Sequence, residues 1–213
     1  MERIIKKLED LKNTKVEEQP PLPIENNVLK TFSIENEPVV ELVNNREREY
    51  IFADLPDIGY STDIDTVMAS SYQVKKQLQQ IVKIEQPITN TLLYKRILRI
   101  WNLTRVTTRL QVFIDSLLED AYKDPLSGDT IIYWENKEKA KECDFYRINS
   151  KRDILDIPIL EVMSAARYAI EQQISMPIED LKRLTSQLLG FSRKGNNLDM
   201  VTEQTIQLLI NKG

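Results

Sequence analysis

Apolar residues recur at helical spacing along the chain from residue 72 onward. They form three successive stripes, and each stripe fits the buried face of an amphipathic helix. The stripes consist of Val74, Leu78, Ile81 and Val82, of Leu93, Ile97, Ile100 and Trp101, and of Leu110, Phe113, Ile114, Leu117 and Ala121. The pattern therefore predicts three consecutive helices, with Asn102 ending the second and Thr104 or Thr107 capping the third.

Two runs rich in β-branched and aromatic residues follow the three predicted helices. They are Thr130–Trp134 and Phe145–Ile148, and we predict that they pair as a small β-hairpin. Three helices followed by a hairpin is the order of a winged helix, in which the third helix normally enters a DNA groove. The sequence therefore predicts a winged-helix-like unit over residues 72–150. Its two tryptophans, Trp101 and Trp134, are expected in the core and not as platforms for stacked bases.

The helical pattern then restarts and predicts a second helix-turn-helix-like unit of three helices over residues 151–213. Gly190 suits the end of its second helix, and Asn196 or Asn197 the cap of its third. At an offset of 88 residues, IWNLTRVTTRL resembles LLGFSRKGNNL. Because packing alone does not demand matching turn residues, the match favours two related units in tandem. A chance likeness between two amphipathic helices is the alternative.

The first 71 residues differ in composition from the rest of the chain. They carry eight basic and fifteen acidic side chains, which is a local net charge of 8 − 15 = −7, and three prolines within the segment PPLP. Met1–Leu11 fits a short amphipathic helix, whereas VVELV and EYIFADL are candidate short strands in an otherwise irregular region. We therefore predict an acidic N-terminal extension with a proline-rich linker over residues 1–71, and a mainly α fold for the remainder.

The composition excludes several classes of enzyme. The 213 residues contain no histidine and one cysteine, Cys143, which removes histidine-dependent catalysis, imidazole zinc sites and an intrachain disulfide. The segment GFSRKG lacks the Lys-Ser/Thr ending and the preceding strand of a P-loop. A metal-dependent nuclease built from Asp57, Glu135 and Lys137 is the remaining enzymatic alternative, although three predicted helices separate these residues. We predict a non-enzymatic protein without a cofactor or a metal.

The chain is predicted to be a soluble protein of the cytoplasm. Apolar residues make up 41% of the sequence and charged residues 29%, which is typical of a globular protein. No apolar run approaches the length needed to cross a bilayer, and the amino terminus does not resemble a signal peptide.

Positive charge is concentrated in two stretches, although the net charge of the whole chain is −4. Neither 86–112 nor 181–198 contains an acidic residue. On the outward face of the third helix, Arg105, Thr108 and Arg109 lie together, and such a face can bind phosphates and reach base edges. An ordinary solvated face or an interdomain salt-bridge surface is the alternative. The candidate DNA-binding residues are Lys95, Arg96, Arg99, Arg105, Thr108, Arg109, Lys182, Arg183, Arg193, Lys194, Asn196 and Asn197.

The region from Tyr72 to the end of the chain resembles a known protein family. The segments ITNTLLYKRI and LLGFSRKG, with a tryptophan-containing run between them, are similar to the C-terminal domain of unknown function in large bacterial superfamily 1 helicase-like proteins. In those proteins the domain follows a helicase motor and a Vsr-like endonuclease domain, and some of them look like phage-defence factors. The resemblance implies an accessory module, with no catalytic residues to assign to this chain.

We therefore expect a non-catalytic accessory domain of a helicase-like protein. Its expected partners are DNA, duplex or single-stranded, contacted through the basic helix-turn-helix faces, and a helicase motor in the same chain or another one. The alternative is a protein–protein or interdomain docking module that does not bind DNA directly. In that alternative, the acidic N-terminal part masks or bridges the basic faces.

Overall fold

A computed structural model of the chain describes residues 45–60, 62–124, 130–148, 150–172 and 176–212. The described part is mainly α-helical, with eight α-helices and five short strands. The helix predicted over Met1–Leu11, the proline-rich linker and the strand predicted at VVELV lie outside the described residues. Among the described helices, none combines the length and the apolar character that crossing a membrane requires.

Helices and short strands alternate along the described chain. The first elements are Glu47–Glu49 (β1), Ile64–Ala69 (α1), Ser71–Glu85 (α2), Ile88–Thr89 (β2), Asn90–Ile100 (α3), Thr108–Leu117 (α4), Tyr122–Lys123 (β3) and Ile132–Trp134 (β4). The later elements are Lys137–Lys141 (α5), Tyr146–Ile148 (β5), a 3₁₀ turn at Ile154–Asp156, Ile159–Gln172 (α6), Ile178–Leu188 (α7) and Asn196–Lys212 (α8). We call α2, α3 and α4 the first unit, and α6, α7 and α8 the second unit.

The predicted apolar stripes form the core of the first unit. The members of the stripes that are fully enclosed are Val74, Leu78, Ile81, Leu93, Ile97 and Ile114. Trp101 and Trp134 are 3% and 1% exposed, which confirms both as core residues. The third stripe extends beyond its helix, because α4 ends at Leu117 and Ala121 packs against the core from the following segment.

The predicted hairpin between Thr130–Trp134 and Phe145–Ile148 is wrong. Strand β4 pairs antiparallel with β2 and β3, in the order β2-β4-β3, so the hairpin of the fold joins β3 to β4. Strand β5 instead pairs parallel with β1. The reason is that β5 takes its main-chain partners from far upstream: the N–H of Tyr146 donates to the carbonyl of Arg46 at 2.9 Å, a contact that nearness in sequence does not suggest.

The helices of the two units begin at equivalent positions. Each helix of the second unit starts 88 residues after its counterpart in the first, α6 after α2, α7 after α3 and α8 after α4. Helices α3 and α7 also end 88 residues apart. The connections 101–107 and 189–195, here called the first turn and the second turn, therefore have the same length. The division of the chain into domains stays a prediction.

The two turns also share their backbone geometry. Asn102 has a φ of 48° and Gly190 a φ of 88°, so both adopt the left-handed conformation. In the first turn the N–H of Leu103 donates to the carbonyl five residues earlier at 2.9 Å, and in the second turn the N–H of Phe191 does the same at 2.9 Å. Helices often end with a left-handed residue and such a bond. Asn102 and Gly190 are thus confirmed as the residues that end α3 and α7.

The two helices that follow the turns begin differently. Thr107 caps α4, since its side-chain oxygen accepts from the backbone N–H three residues later at 3.2 Å, which confirms one of the two predicted caps. The prediction that Asn196 or Asn197 caps α8 is wrong because the helix already begins at Asn196. Gly195 takes the capping position, where its carbonyl accepts the first helical hydrogen bond at 2.9 Å. Glycine is tolerated there at little cost in stability.

A buried ion cluster connects α6 to the segment between α2 and α3. The Glu161 side chain has no exposed surface, and its carboxylate accepts hydrogen bonds from Arg147 and from Arg152, whose side chains are 5% and 2% exposed. The two Arg152 bonds measure 2.9 and 2.8 Å. Arg147 also donates to the backbone carbonyls of Glu85 at 2.7 Å and Pro87 at 2.6 Å. The cluster therefore ties the second unit to the first.

Acid is expected to remove the stabilisation that Glu161 provides. Burial raises the pKa of this carboxyl, but Arg147 and Arg152 outweigh burial and hold the pKa below its ordinary value. A carboxyl whose pKa is lower in the folded than in the unfolded state stabilises the fold at pH values above its unfolded-state pKa, about 4.3. That contribution is lost as the pH falls through the folded-state pKa. Urea unfolding at about pH 7 and about pH 3 should show a smaller loss of stability in Glu161→Gln than in the wild type. Equal losses would contradict this role.

Candidate nucleic-acid interface

The first turn leads into a helix start that is rich in exposed polar and cationic groups. Arg105 in the turn and Thr108 and Arg109 at the beginning of α4 are all exposed, while Leu110 and Ile114 on the opposite side are buried. Arg105 lies in the turn and not in α4, so the helical spacing predicted for Arg105, Thr108 and Arg109 is not formed, and what the three residues share is exposure next to the start of α4.

Arg109 is not free of partners within the protein. Its guanidinium lies 2.7 Å from a carboxylate oxygen of Asp65 in α1, and the two side chains are 57% and 72% exposed. An ion pair so exposed contributes little to stability and is easily exchanged for another anion. Arg105, in contrast, has no ion-pair partner in the part of the chain that the structure describes. Arg105 is therefore the more available cation of the two.

The one carboxylate within α4 is directed towards the interior of the first unit. Asp115 accepts from the hydroxyl of Tyr94 at 2.7 Å and from that of Tyr133 at 3.0 Å. Burial, together with this carboxylate, raises the pKa of both tyrosines above the ordinary value. Both hydroxyls therefore stay protonated and keep donating to Asp115. The outward face of α4 consequently carries no carboxylate of its own.

The cations of α3 are engaged by other parts of the protein. Lys95 donates to both oxygens of Asp156 at 2.7 Å. Arg96, only 16% exposed, donates to Glu85 at 3.0 Å and to the hydroxyl of Tyr50 at 2.9 Å. The donors of Arg96 are thus used inside the fold, so this residue is not available to a ligand.

An extended segment covers one side of α3. Residues 45–58, here called the N-terminal strap, contain β1 and continue across the first unit. The ring of Phe52 lies 4.2 Å from the guanidinium of Arg96 and 5.3 Å from that of Arg99. These cation–π contacts leave Arg99 exposed, but they occupy one face of its guanidinium.

The second turn gathers four of the predicted cations around a shallow cleft of about 160 Å³. They are Lys182 and Arg183 of α7 and Arg193 and Lys194 of the turn itself. Lys182 is mostly covered and pairs with Glu179 at 3.3 Å and Glu203 at 3.4 Å, and Arg183 pairs with Asp180 at 3.0 Å.

Arg193 and Lys194 differ from the other two cations at this cleft. Both are exposed, and neither forms an ion pair with any residue that the structure describes. They directly precede the start of α8, where Asn196 and Asn197 are also exposed. The first backbone N–H groups of a helix lack partners within it, and they favour a negative charge. The second turn thus places hydrogen-bond donors and positive charge beside a cleft that Glu179 and Asp199 also line.

One family model matches part of the chain. Residues 69–112 match a protein family of unknown function, DUF3320. The match covers α2, α3, the first turn and the beginning of α4, which is about a fifth of the 213 residues. It includes six of the candidate residues, from Lys95 to Arg109, and none of the second unit. No curated protein and no solved structure matches the chain.

The described residues offer no cluster of carboxylate and cysteine side chains that could hold a metal ion.

Three features of the site were not predicted from the sequence. Two of them depend on contacts between residues distant in the chain and leave no local pattern in the sequence. They are the packing of the strap over α3 and the pairing of Arg109 with Asp65. Val112, 65% exposed on the outward face of α4, does leave such a pattern, because it follows Thr108 and Arg109 at helical spacing.

Proposed function

We propose that this protein is a non-catalytic accessory domain that contacts DNA through the surfaces at the two turns. In this proposal the cations before α4 and α8 neutralise backbone phosphates, and α4 lies against the bases of a duplex. The partner suggested by the family resemblance is a helicase motor, in the same chain or in another one. A role in phage defence would follow from that association.

The observation that carries the proposal is that two equivalent turns each present an exposed cation without an ion-pair partner among the described residues. These cations are Arg105 in the first turn and Arg193 and Lys194 in the second. Arginine and lysine at the start of a helix, next to free backbone N–H groups, form a favourable environment for phosphate. Of the other candidates, Lys95, Arg96 and Lys182 have their charge engaged within the protein, so they are left out of the proposed interface.

The order of elements in the first unit supports a winged-helix interpretation. A strand, β2, separates the first two helices, and two more strands follow the third helix. The sheet order β2-β4-β3 places the last strand between the other two. This is the arrangement of winged-helix domains, in which the third helix and the hairpin after it face the DNA. The corresponding elements here are α4 and the β3–β4 hairpin.

Salt dependence of DNA binding tests the proposed function. Each of the three cations without an ion pair should release about one counterion when it contacts a phosphate. A plot of the logarithm of the association constant against the logarithm of the salt concentration should therefore have a slope of about −3 on a duplex. Between about 50 mM and about 150 mM salt, the affinity should therefore fall about 20-fold. Fluorescence anisotropy of labelled duplex and single-stranded DNA with the full chain measures both quantities. Correctly folded protein that binds neither DNA at low salt would overturn the proposal.

A docking module for another protein is the second candidate function. Its supporting observation is a mostly apolar cavity of about 720 Å³ between the 3₁₀ turn, β4 and α8. Leu155 and Met200 line it and are 46% and 48% exposed. The pairing of Arg109 with Asp65 and the cover of Arg99 by Phe52 also fit a chain that masks its own basic faces. Binding of a partner through this cavity would be insensitive to salt, which separates it from the DNA proposal.

A further inference from the structure

Helix α4 exposes an aliphatic side chain in the middle of its outward face. Val112 is 65% exposed, whereas Leu110 and Ile114 on the inward face are buried. It lies one helical turn after Thr108 and close to Arg109 on the same side. A β-branched residue at an exposed helical position adds no core packing and has a lower helix propensity than alanine, lysine or glutamine. Packing within the described part of the chain therefore does not require a valine at this position.

The outward face of α4 around Val112 is polar, and α4 contributes no carboxylate to it. Arg109 and the hydroxyl groups of Thr108 and Ser116 are its neighbours along the face, and all three side chains are exposed. Asp115 is turned inward to two tyrosines, and Asp65 is paired with Arg109. A ligand that meets this face therefore meets positive charge and hydrogen-bonding groups with one apolar contact at their centre.

The same position in the second unit also carries an exposed apolar side chain. Met200 lies 88 residues after Val112 and is 48% exposed. Met200, however, borders the apolar cavity next to the 3₁₀ turn, whereas Val112 lines none of the cavities described here. Within the described part of the chain, the apolar surroundings that Met200 has at that cavity therefore have no counterpart at Val112.

We propose that Val112 recognises the methyl group of a thymine when α4 lies in the major groove of a DNA duplex. Contacts to phosphates and sugars do not distinguish one base from another, whereas thymine presents an apolar C5 methyl group in the major groove. An aliphatic residue flanked by a guanidinium and a hydroxyl group matches that groove, where apolar and hydrogen-bonding base edges lie side by side. The proposal rests on the proposed function, since it requires α4 to contact DNA.

Two experiments test this role. The first selects bound sequences from a pool of randomised DNA duplexes, and the second removes the methyl group of the selected thymine. The full wild-type chain should enrich a thymine at one position, and the Val112→Ala variant should not. Replacing that thymine by deoxyuridine should lower the affinity of the wild type about four-fold, the effect of one methyl group losing an apolar contact. The same replacement should leave the affinity of Val112→Ala unchanged.

A matched control comes from Ile51, an aliphatic residue of the strap that is 67% exposed. Ile51→Ala should retain both the thymine preference and the methyl effect. If the wild type binds duplexes without a thymine preference, or if Val112→Ala shows the same methyl effect, this inference fails while the proposed function stands. If the folded wild type binds no duplex, this inference fails, and if it binds neither duplex nor single-stranded DNA, both fail.

Discussion

Replacing Glu161 by glutamine should lower the free energy of unfolding by about 3–5 kcal/mol. The carboxylate is fully enclosed and neutralises two arginines, Arg147 and Arg152, that are themselves almost completely buried. A glutamine has about the same size, but it brings no negative charge and leaves two buried cations without a counterion. Losing one partner of a buried ion cluster is costly because the remaining charges have already been removed from water. Urea unfolding followed by circular dichroism measures the change.

An exposed ion pair provides the matched control for this variant. Asp180 pairs with Arg183 at 3.0 Å, and the two side chains are 50% and 55% exposed. Asp180→Asn makes the same carboxylate-to-amide change on the surface, and we expect it to cost less than about 1 kcal/mol. Similar losses in the two variants would show that burial of the cluster around Glu161 adds nothing to its effect on the stability of the fold.

Reversing one cation in each turn, Arg105→Glu together with Arg193→Glu, should weaken binding to duplex DNA about 100-fold at low salt. Each change removes a phosphate contact and places a carboxylate next to the DNA backbone, and a factor of about ten per site corresponds to about 1.4 kcal/mol. Neither arginine forms an ion pair among the described residues, so the fold should be unaffected. Fluorescence anisotropy gives the affinities, and circular dichroism verifies the fold.

The control for this variant has the same change in net charge at sites away from the turns. Lys137 and Lys141 of α5 are exposed, and neither has an ion-pair partner in the described part of the chain. Lys137→Glu with Lys141→Glu should reduce the affinity only a few-fold through the general field of the protein. Equal losses in the two double variants would mean that net charge, and not the turns, determines binding.

The helices and turns were predictable from the sequence because their signals are local. Stripes such as Val74, Leu78 and Ile81 identify a buried helical face without any knowledge of what it packs against. Asn102 and Gly190 fit the left-handed residue that ends a helix, and Thr107 fits a cap. The offset of 88 residues between the two turns can likewise be read from the sequence, and the first residues of all three helix pairs are also 88 residues apart.

The strand pairing was not predictable because it depends on partners distant in the chain. Strand β5 pairs with β1, so that Tyr146 lies opposite Glu47. A short run of β-branched residues indicates that a strand is favourable, but it does not indicate which other strand will pair with it. The run closest in sequence was therefore the wrong partner to predict for β4. Strand β2, which completes the sheet of the first unit, has only two residues and no sequence pattern of its own.

The candidate interface was predictable only in part, for the same reason. The sequence of a stretch without acidic residues, such as 86–112, predicts a free basic surface when it is considered alone. In the fold, Asp156 reaches Lys95 from 61 residues away, and Glu85 and Tyr50 enclose the guanidinium of Arg96. Which cations remain without partners is therefore decided by the tertiary structure.

Mapping the contact surface by NMR shows whether the two turns contact DNA. Amide chemical shifts of the isotope-labelled full chain, followed while a short duplex is added, report which residues meet the ligand. We expect the largest changes at residues 104–112 and 192–199, with small changes along the apolar cavity at Ile132 and Leu208. Changes centred on that cavity, or none at either turn while the duplex binds, would contradict it.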